Sequence, residues 1–131
     1  MTNVLKKIMC FFMFLLILSC SNNEKLLPAE DALDAIRLFK DAYQNGNYEK
    51  AKFYCLDNES NKVKLDSIFK NYQSLSNAEK TQLKSASLII LKNETMDEQS
   101  VQIILANKAS ATNDTFKVVK LNNIWQINLS K

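Results

Sequence analysis

The sequence predicts an α+β protein, with two to three N-terminal helices packed on one face of a curved four-stranded antiparallel sheet. Two observations carry that prediction. Apolar residues recur every three to four positions from Ala32 to Leu75, then every second position from Lys84 onward. The strand-like stretches of the second half are consecutive and joined by short polar turns, which calls for an antiparallel meander. A chain of 131 residues that is 47% apolar is long and greasy enough for about one domain with its own core.

The first helix begins around Pro28. Proline suits a first helical turn, and Glu30 and Asp31 suit the positive end of the helix dipole. Ala32, Leu33, Ile36, Phe39, Ala42 and Tyr43 then form one apolar face. Asn45-Gly46 stops the helix, because glycine adopts the left-handed conformation of a C-terminal cap. Asn47 caps a second helix, whose apolar positions are Tyr48, Ala51, Tyr54 and Cys55. Residues Leu56 to Asn61 read as a polar connection. Val63, Leu65, Ile68, Phe69, Tyr72 and Leu75 predict a third helix that ends near Ser76-Asn77. Ala78 to Leu83 reads either as a helical extension or as a linker.

The first strand is predicted over Ser85 to Leu91, followed by a polar turn over Lys92 to Asp97. The second runs from Glu98 to Ala106, with Val101, Ile103 and Leu105 on one face. The third spans Thr115 to Leu121. Asn122-Asn123 makes a two-residue hairpin loop, since asparagine tolerates positive φ. The fourth covers Ile124 to Leu129, with Trp125, Ile127 and Leu129 inward. The apolar face of this sheet needs a cover, and the first helix supplies it.

Composition narrows the chemistry. One glycine disfavours the Gly-rich loops that cradle phosphates. The absence of histidine removes Ser-His-Asp and Cys-His catalysis and most catalytic zinc sites. Glu94, Asp97 and Glu98 lack the glycine and the alternation of a calcium loop. No cofactor and no metal are expected.

The N-terminus reads as an address. Lys6 and Lys7 precede an unbroken apolar run, Ile8 to Leu18, with no acid in the first twenty residues. Eleven residues rise only about 16 Å as a helix, against a hydrocarbon core of about 30 Å. A charged start and a short apolar run are the pattern of a secretory signal. Ile17-Leu18-Ser19-Cys20 resembles the bacterial lipobox. The resemblance implies diacylglycerol transfer to the Cys20 thiol, cleavage before Cys20 and further acylation, palmitate included. The expected organisation is a lipoprotein signal peptide over 1–19, a lipidated tether over 20–27 and one domain over 28–131. The alternative, an ordinary signal ending at Cys20, has no Ala-x-Ala site nearby. Ser21 lacks the aspartate that retains lipoproteins in the inner membrane, which favours the outer membrane. Glu24 is the one acid just after the cysteine, so the periplasmic and surface faces both stay open.

Removal of Lys6 and Lys7 with the signal lowers the net charge from +3 to +1, which does not support a nucleic-acid surface. Of the three cysteines, Cys10 leaves with the signal and Cys20 is acylated. Cys55 is then a single thiol in an oxidising compartment, and its apolar neighbours suit a core position better than a reactive one.

Ala35-Ile36-Arg37-Leu38-Phe39-Lys40-Asp41-Ala42-Tyr43-Gln44-Asn45-Gly46-Asn47-Tyr48-Glu49-Lys50-Ala51 and the closing Phe116 to Ile127 hairpin carry a family resemblance. The chain resembles the nuclear-transport-factor-2-like, cystatin-like fold. More narrowly, it is similar to small bacterial lipoproteins of the Bacteroidota type that carry an uncharacterised domain of this kind. The resemblance implies a conical cavity between sheet and helices.

An enzyme on such a cone needs a buried acid or histidine beside tyrosine donors. The predicted strand interiors hold no acid, and Asp31, Asp34 and Asp41 fall on or beside the polar face of the first helix. Tyr43, Tyr54, Tyr72 and Trp125 are the candidate pocket lining, although aromatic residues at such spacing more often build core. The expected function is a lipid-anchored, non-catalytic binding or protein-interaction module. Its expected partners are the membrane, through Cys20, and a protein partner or a second copy through the sheet. The alternative is a small-ligand carrier or enzyme using the cavity.

Overall fold

The structure is a computed structural model that describes residues 25–107 and 113–130. The signal, Cys20 and the start of the tether lie outside the described residues. Among the described residues, four helices precede four strands: α1 (Ala32–Gln44), α2 (Tyr48–Phe53), α3 (Glu59–Ser74), α4 (Asn77–Ser85), β1 (Ile90–Asp97), β2 (Ser100–Leu105), β3 (Asp114–Leu121) and β4 (Ile124–Asn128). The strands pair antiparallel in the order β1-β2-β3-β4, the expected meander.

α1 starts four residues later than its sequence suggests. The Asp31 side chain accepts a hydrogen bond from the Asp34 amide at 2.8 Å and fixes the helix start there. Ala29, expected inside the first turn, instead forms an isolated antiparallel bridge with Trp125. Ala32, Ala35, Ile36, Phe39 and Ala42 are buried, and the three alanines let the helix lie close to the sheet. Phe39 meets Phe116 of β3 edge to face, with ring centres 6.3 Å apart.

The end of α1 follows from Gly46. Its φ is +67°, its amide donates to the Tyr43 carbonyl at 3.0 Å, and the Asn47 amide donates to the Ala42 carbonyl at 2.8 Å. That is the paired closure of a Schellman cap. A Cβ at Gly46 would sit 2.5 Å from Cε1 of Tyr72, so space as well as φ demands glycine.

Asn47 caps α2 as expected, accepting from the Lys50 amide at 3.0 Å. Tyr54 and Cys55 correct the sequence reading, because Tyr54 is the C-terminal cap of the helix and Cys55 lies beyond it, in a strap alongside β4. The Ile127 amide donates to the Tyr54 carbonyl at 2.8 Å, and the Leu56 amide donates to the Ile127 carbonyl at 2.9 Å. The strap therefore runs parallel to β4, bridging Cys55 to Ile127.

α3, by contrast, starts earlier than its apolar pattern. Asn58 accepts from the Asn61 amide at 2.8 Å and caps the helix. This turns Val63 outward, contrary to expectation, while Leu65 and Phe69 are buried. The ambiguous stretch after Ser76 is a separate helix, opened by a capping box between Ser76 and Glu79. It raises the helix number above the two or three expected.

β1 departs furthest from the sequence reading. Half of the apolar run Leu88 to Leu91 precedes the strand, and the polar stretch Lys92 to Asp97, expected as a turn, makes up most of it. The cause lies at the hairpin. Asp97 accepts from the Gln99 amide at 2.8 Å and from the Ser100 hydroxyl at 2.6 Å, which places the turn at Glu98-Gln99. These bonds hold the Asp97 carboxyl below its ordinary pKa, the Ser100 hydroxyl contributing most. Counting back from that turn, the six-residue β2 brings Leu105 opposite Ile90. The shift also puts an acid, Glu94, inside a strand, where it is exposed and ion-paired to Lys92 at 2.7 Å.

β2, β3 and β4 keep the expected faces. Val101, Ile103, Leu105, Val118 and Ile127 are buried under α1. Asn122 and Asn123 have φ of 50° and 65°, the two positive values of a type I′ hairpin turn.

Candidate functional site

Between α1, α4 and the ends of β2 and β3 lies an open groove of about 530 Å³. Leu83, Leu88 and Leu105 form an apolar wall, Lys40, Glu79 and Asp114 supply its charge, and Tyr43 supplies a hydroxyl. Lys40 stands at the border of the buried stripe of α1 and lines the groove. Burial pushes its ammonium below its ordinary pKa, and the negative charge of Asp114 works against the shift. The Lys40 Nζ lies 5.8 Å from the centre of the Tyr43 ring. Burial, then the charge of Asp114, raises the Tyr43 phenol. Asn107 Nδ2 donates to Asp114 Oδ1 at 3.3 Å and steadies the carboxylate. The arrangement suits a ligand with a polar head and an apolar body.

A second groove, about 660 Å³, lies on the other side of the domain, beside α2 and the Tyr54–Leu56 strap. Tyr48 and Cys55 both border it. The Tyr48 hydroxyl donates to Asp66 Oδ1 at 2.6 Å, which pushes its pKa up to about 12. Burial alone pushes the Cys55 thiol up to about 12. Cys55 is buried, and its apolar surroundings keep it in the neutral thiol form. Among the described residues no group of three His, Cys, Asp or Glu side chains could hold a metal ion.

The four aromatic candidates do not converge on one cavity. Tyr43 lines the first groove. Tyr54 is buried, and its hydroxyl donates to the Leu27 carbonyl at 3.0 Å. Tyr72 packs edge to face on Tyr43, with ring centres 5.8 Å apart, and covers Gly46. Trp125 is half-buried on β4, with the Lys120 ammonium 5.6 Å from its ring centre. Sequence reasoning passed over Lys40, whose one signal is its place four residues after Ile36, at the border of the apolar face.

Helices laid on one face of a curved antiparallel meander have a solved counterpart. It is the crystal structure of an NTF-2-like protein of unknown function from Shewanella oneidensis MR-1. The TM-score is 0.51 at 15% identity, over 72% of this chain and 89% of that one. The fold is NTF2-like. No family model matches the chain, and no curated protein matches it. In the NTF2-like frame, the first groove lies at one end of the helix–sheet interface, where Leu105 ends β2 and Asp114 begins β3.

Proposed function

We propose that this NTF2-like chain is an exported bacterial lipoprotein of the Bacteroidota type. Acyl chains on Cys20 hold it in the outer membrane, and its domain is a non-catalytic binding or interaction module. The observation that carries the proposal is the run from Lys6 through Ile8–Leu18 to Cys20, a charged start and a short apolar stretch ending at a cysteine. Two or more acyl chains anchor a protein firmly where one is marginal, since each buried CH₂ contributes about 0.8 kcal/mol. The pattern of the domain supports the non-catalytic part: both acids of β1 are exposed, Glu94 paired with Lys92 and Asp97 engaged by the Gln99 amide and the Ser100 hydroxyl of the hairpin turn. Replacing Cys20 with alanine is expected to abolish metabolic labelling by a palmitate analogue and to move the protein out of the membrane fraction. Unchanged labelling and fractionation would sink the anchor.

A second reading, a small-ligand carrier, draws its support from Lys40 beside the apolar wall of the first groove. Its expected signature is saturable thermal stabilisation of the full chain by decanoate, lost in Lys40→Met. Stabilisation that survives the substitution argues against it.

A further inference from the structure

The sheet has one bare edge. β1 pairs with β2 alone, and among the described residues no other strand lies along its far side. All eight of its residues are exposed, with Ile90, Leu91 and Met96 at 42%, 53% and 58%. Irregularities near Leu91 and Met96 bracket a regular stretch, Lys92–Thr95. Within it, Lys92 and Glu94 share the outer side of the sheet, across from Ile104 and Gln102, and Asn93 sits between them.

We propose that β1 pairs antiparallel with β1 of a second copy of this chain, about a two-fold axis through Asn93. A two-fold contact uses the same surface twice, so the strand must complement itself read in reverse. Around Asn93 it does. Lys92 falls opposite the partner's Glu94, and Glu94 opposite the partner's Lys92. Asn93 meets its own copy. Opposed residues in an antiparallel ladder share a face, so the axis moves only in whole residues. One step either way sets Lys92 against Lys92 or Glu94 against Glu94, and like charges directly opposite destabilise a pair. Lysine on an edge strand ordinarily repels a passing strand. Here it guards the edge against strands lacking an acid at the matching place and admits this one. The pairing does not depend on the fate of Cys20.

The test uses the full chain purified in detergent. Opposed Cα atoms in an antiparallel ladder lie about 4.5–5.5 Å apart, inside the range of about 4.4–6.8 Å that a disulfide spans. Mild oxidation of Asn93→Cys is expected to give a covalent dimer on a non-reducing gel. Lys117→Cys, on β3 beside Asn128, is expected to stay monomeric, as is wild type, the control for Cys10, Cys20 and Cys55. Adding Lys92→Glu to Asn93→Cys should weaken association about tenfold, since it sets like charges opposite each other twice. Adding Glu94→Lys as well should restore it. Sedimentation of the unsubstituted chain is the second measurement, with a dimer expected. A strict monomer, a cross-link no faster at position 93 than at 117, or a double reversal that fails to recover would each overturn the proposal.

Discussion

The two edges of the sheet differ in almost every respect. β4 is closed off. The Tyr54–Leu56 strap runs along it, Ala29 bridges Trp125, and Gln126 Nε2 donates to the Cys55 carbonyl at 3.1 Å. Asn61, reaching over from α3, completes the seal. Its Oδ1 accepts from the Leu129 and Ser130 amides at 2.8 and 2.9 Å, and its Nδ2 donates to the Leu56 carbonyl at 2.8 Å. Among the described residues, β1 has none of this. The contrast teaches that the domain closes the edge nearest its helices with backbone from elsewhere in the chain, and leaves the other edge guarded by charge alone.

The largest expected effect tests that contrast directly. Ile127 is fully buried, whereas Ile90 is exposed on the bare edge. Ile127→Ala is expected to cost about 3 to 4 kcal/mol of unfolding free energy, by lost transfer and an unfilled cavity. In dilute protein, Ile90→Ala should cost less than about 1 kcal/mol. Urea denaturation of both variants checks this, and equal losses would mean that the edges are not different in kind.

A smaller effect sharpens the account of the strap. The buried Cys55 thiol keeps its proton to about pH 12, while an unfolded thiol loses it near the ordinary value of 9.0. Above that value the native state holds a proton that the unfolded state has released. The stabilisation from this group is therefore full below pH 9 and falls as pH rises toward 12. Urea midpoints followed from pH 8 to 11 should fall more steeply in wild type than in Cys55→Ala. Parallel slopes would place the thiol in water.

Most of the helix–sheet frame was legible in the sequence because it is written in apolar periodicity. Alternation in Val101, Ile103 and Leu105 marks a half-buried strand, and Asn122-Asn123 marks its kind of turn. Gly46 marks the end of α1 for a local reason that one residue can carry. β1 was not legible, because an edge strand exposed on both faces has no need to alternate, and the greasier run before it drew the assignment. Asn61 was hidden for the opposite reason. A buried asparagine that serves three backbone groups is indistinguishable by composition from one in a loop. At the groove, Tyr43 was visible as an aromatic residue on the apolar face, while Lys40 and Asp114 meet only through tertiary packing.

The strap on β4 sets a schedule for synthesis. Cys55 and Gln126 are 71 positions apart, so residues 54–56 leave the ribosome long before the strand they seal exists. Closing so large a loop comes late, since its entropy must be met before the contact is made. Until Ile124–Asn128 emerges, the nascent sheet ends at β3 and carries two open sides instead of one. The last strand to be made thus decides when the growing chain stops being adhesive on the side nearest its own helices.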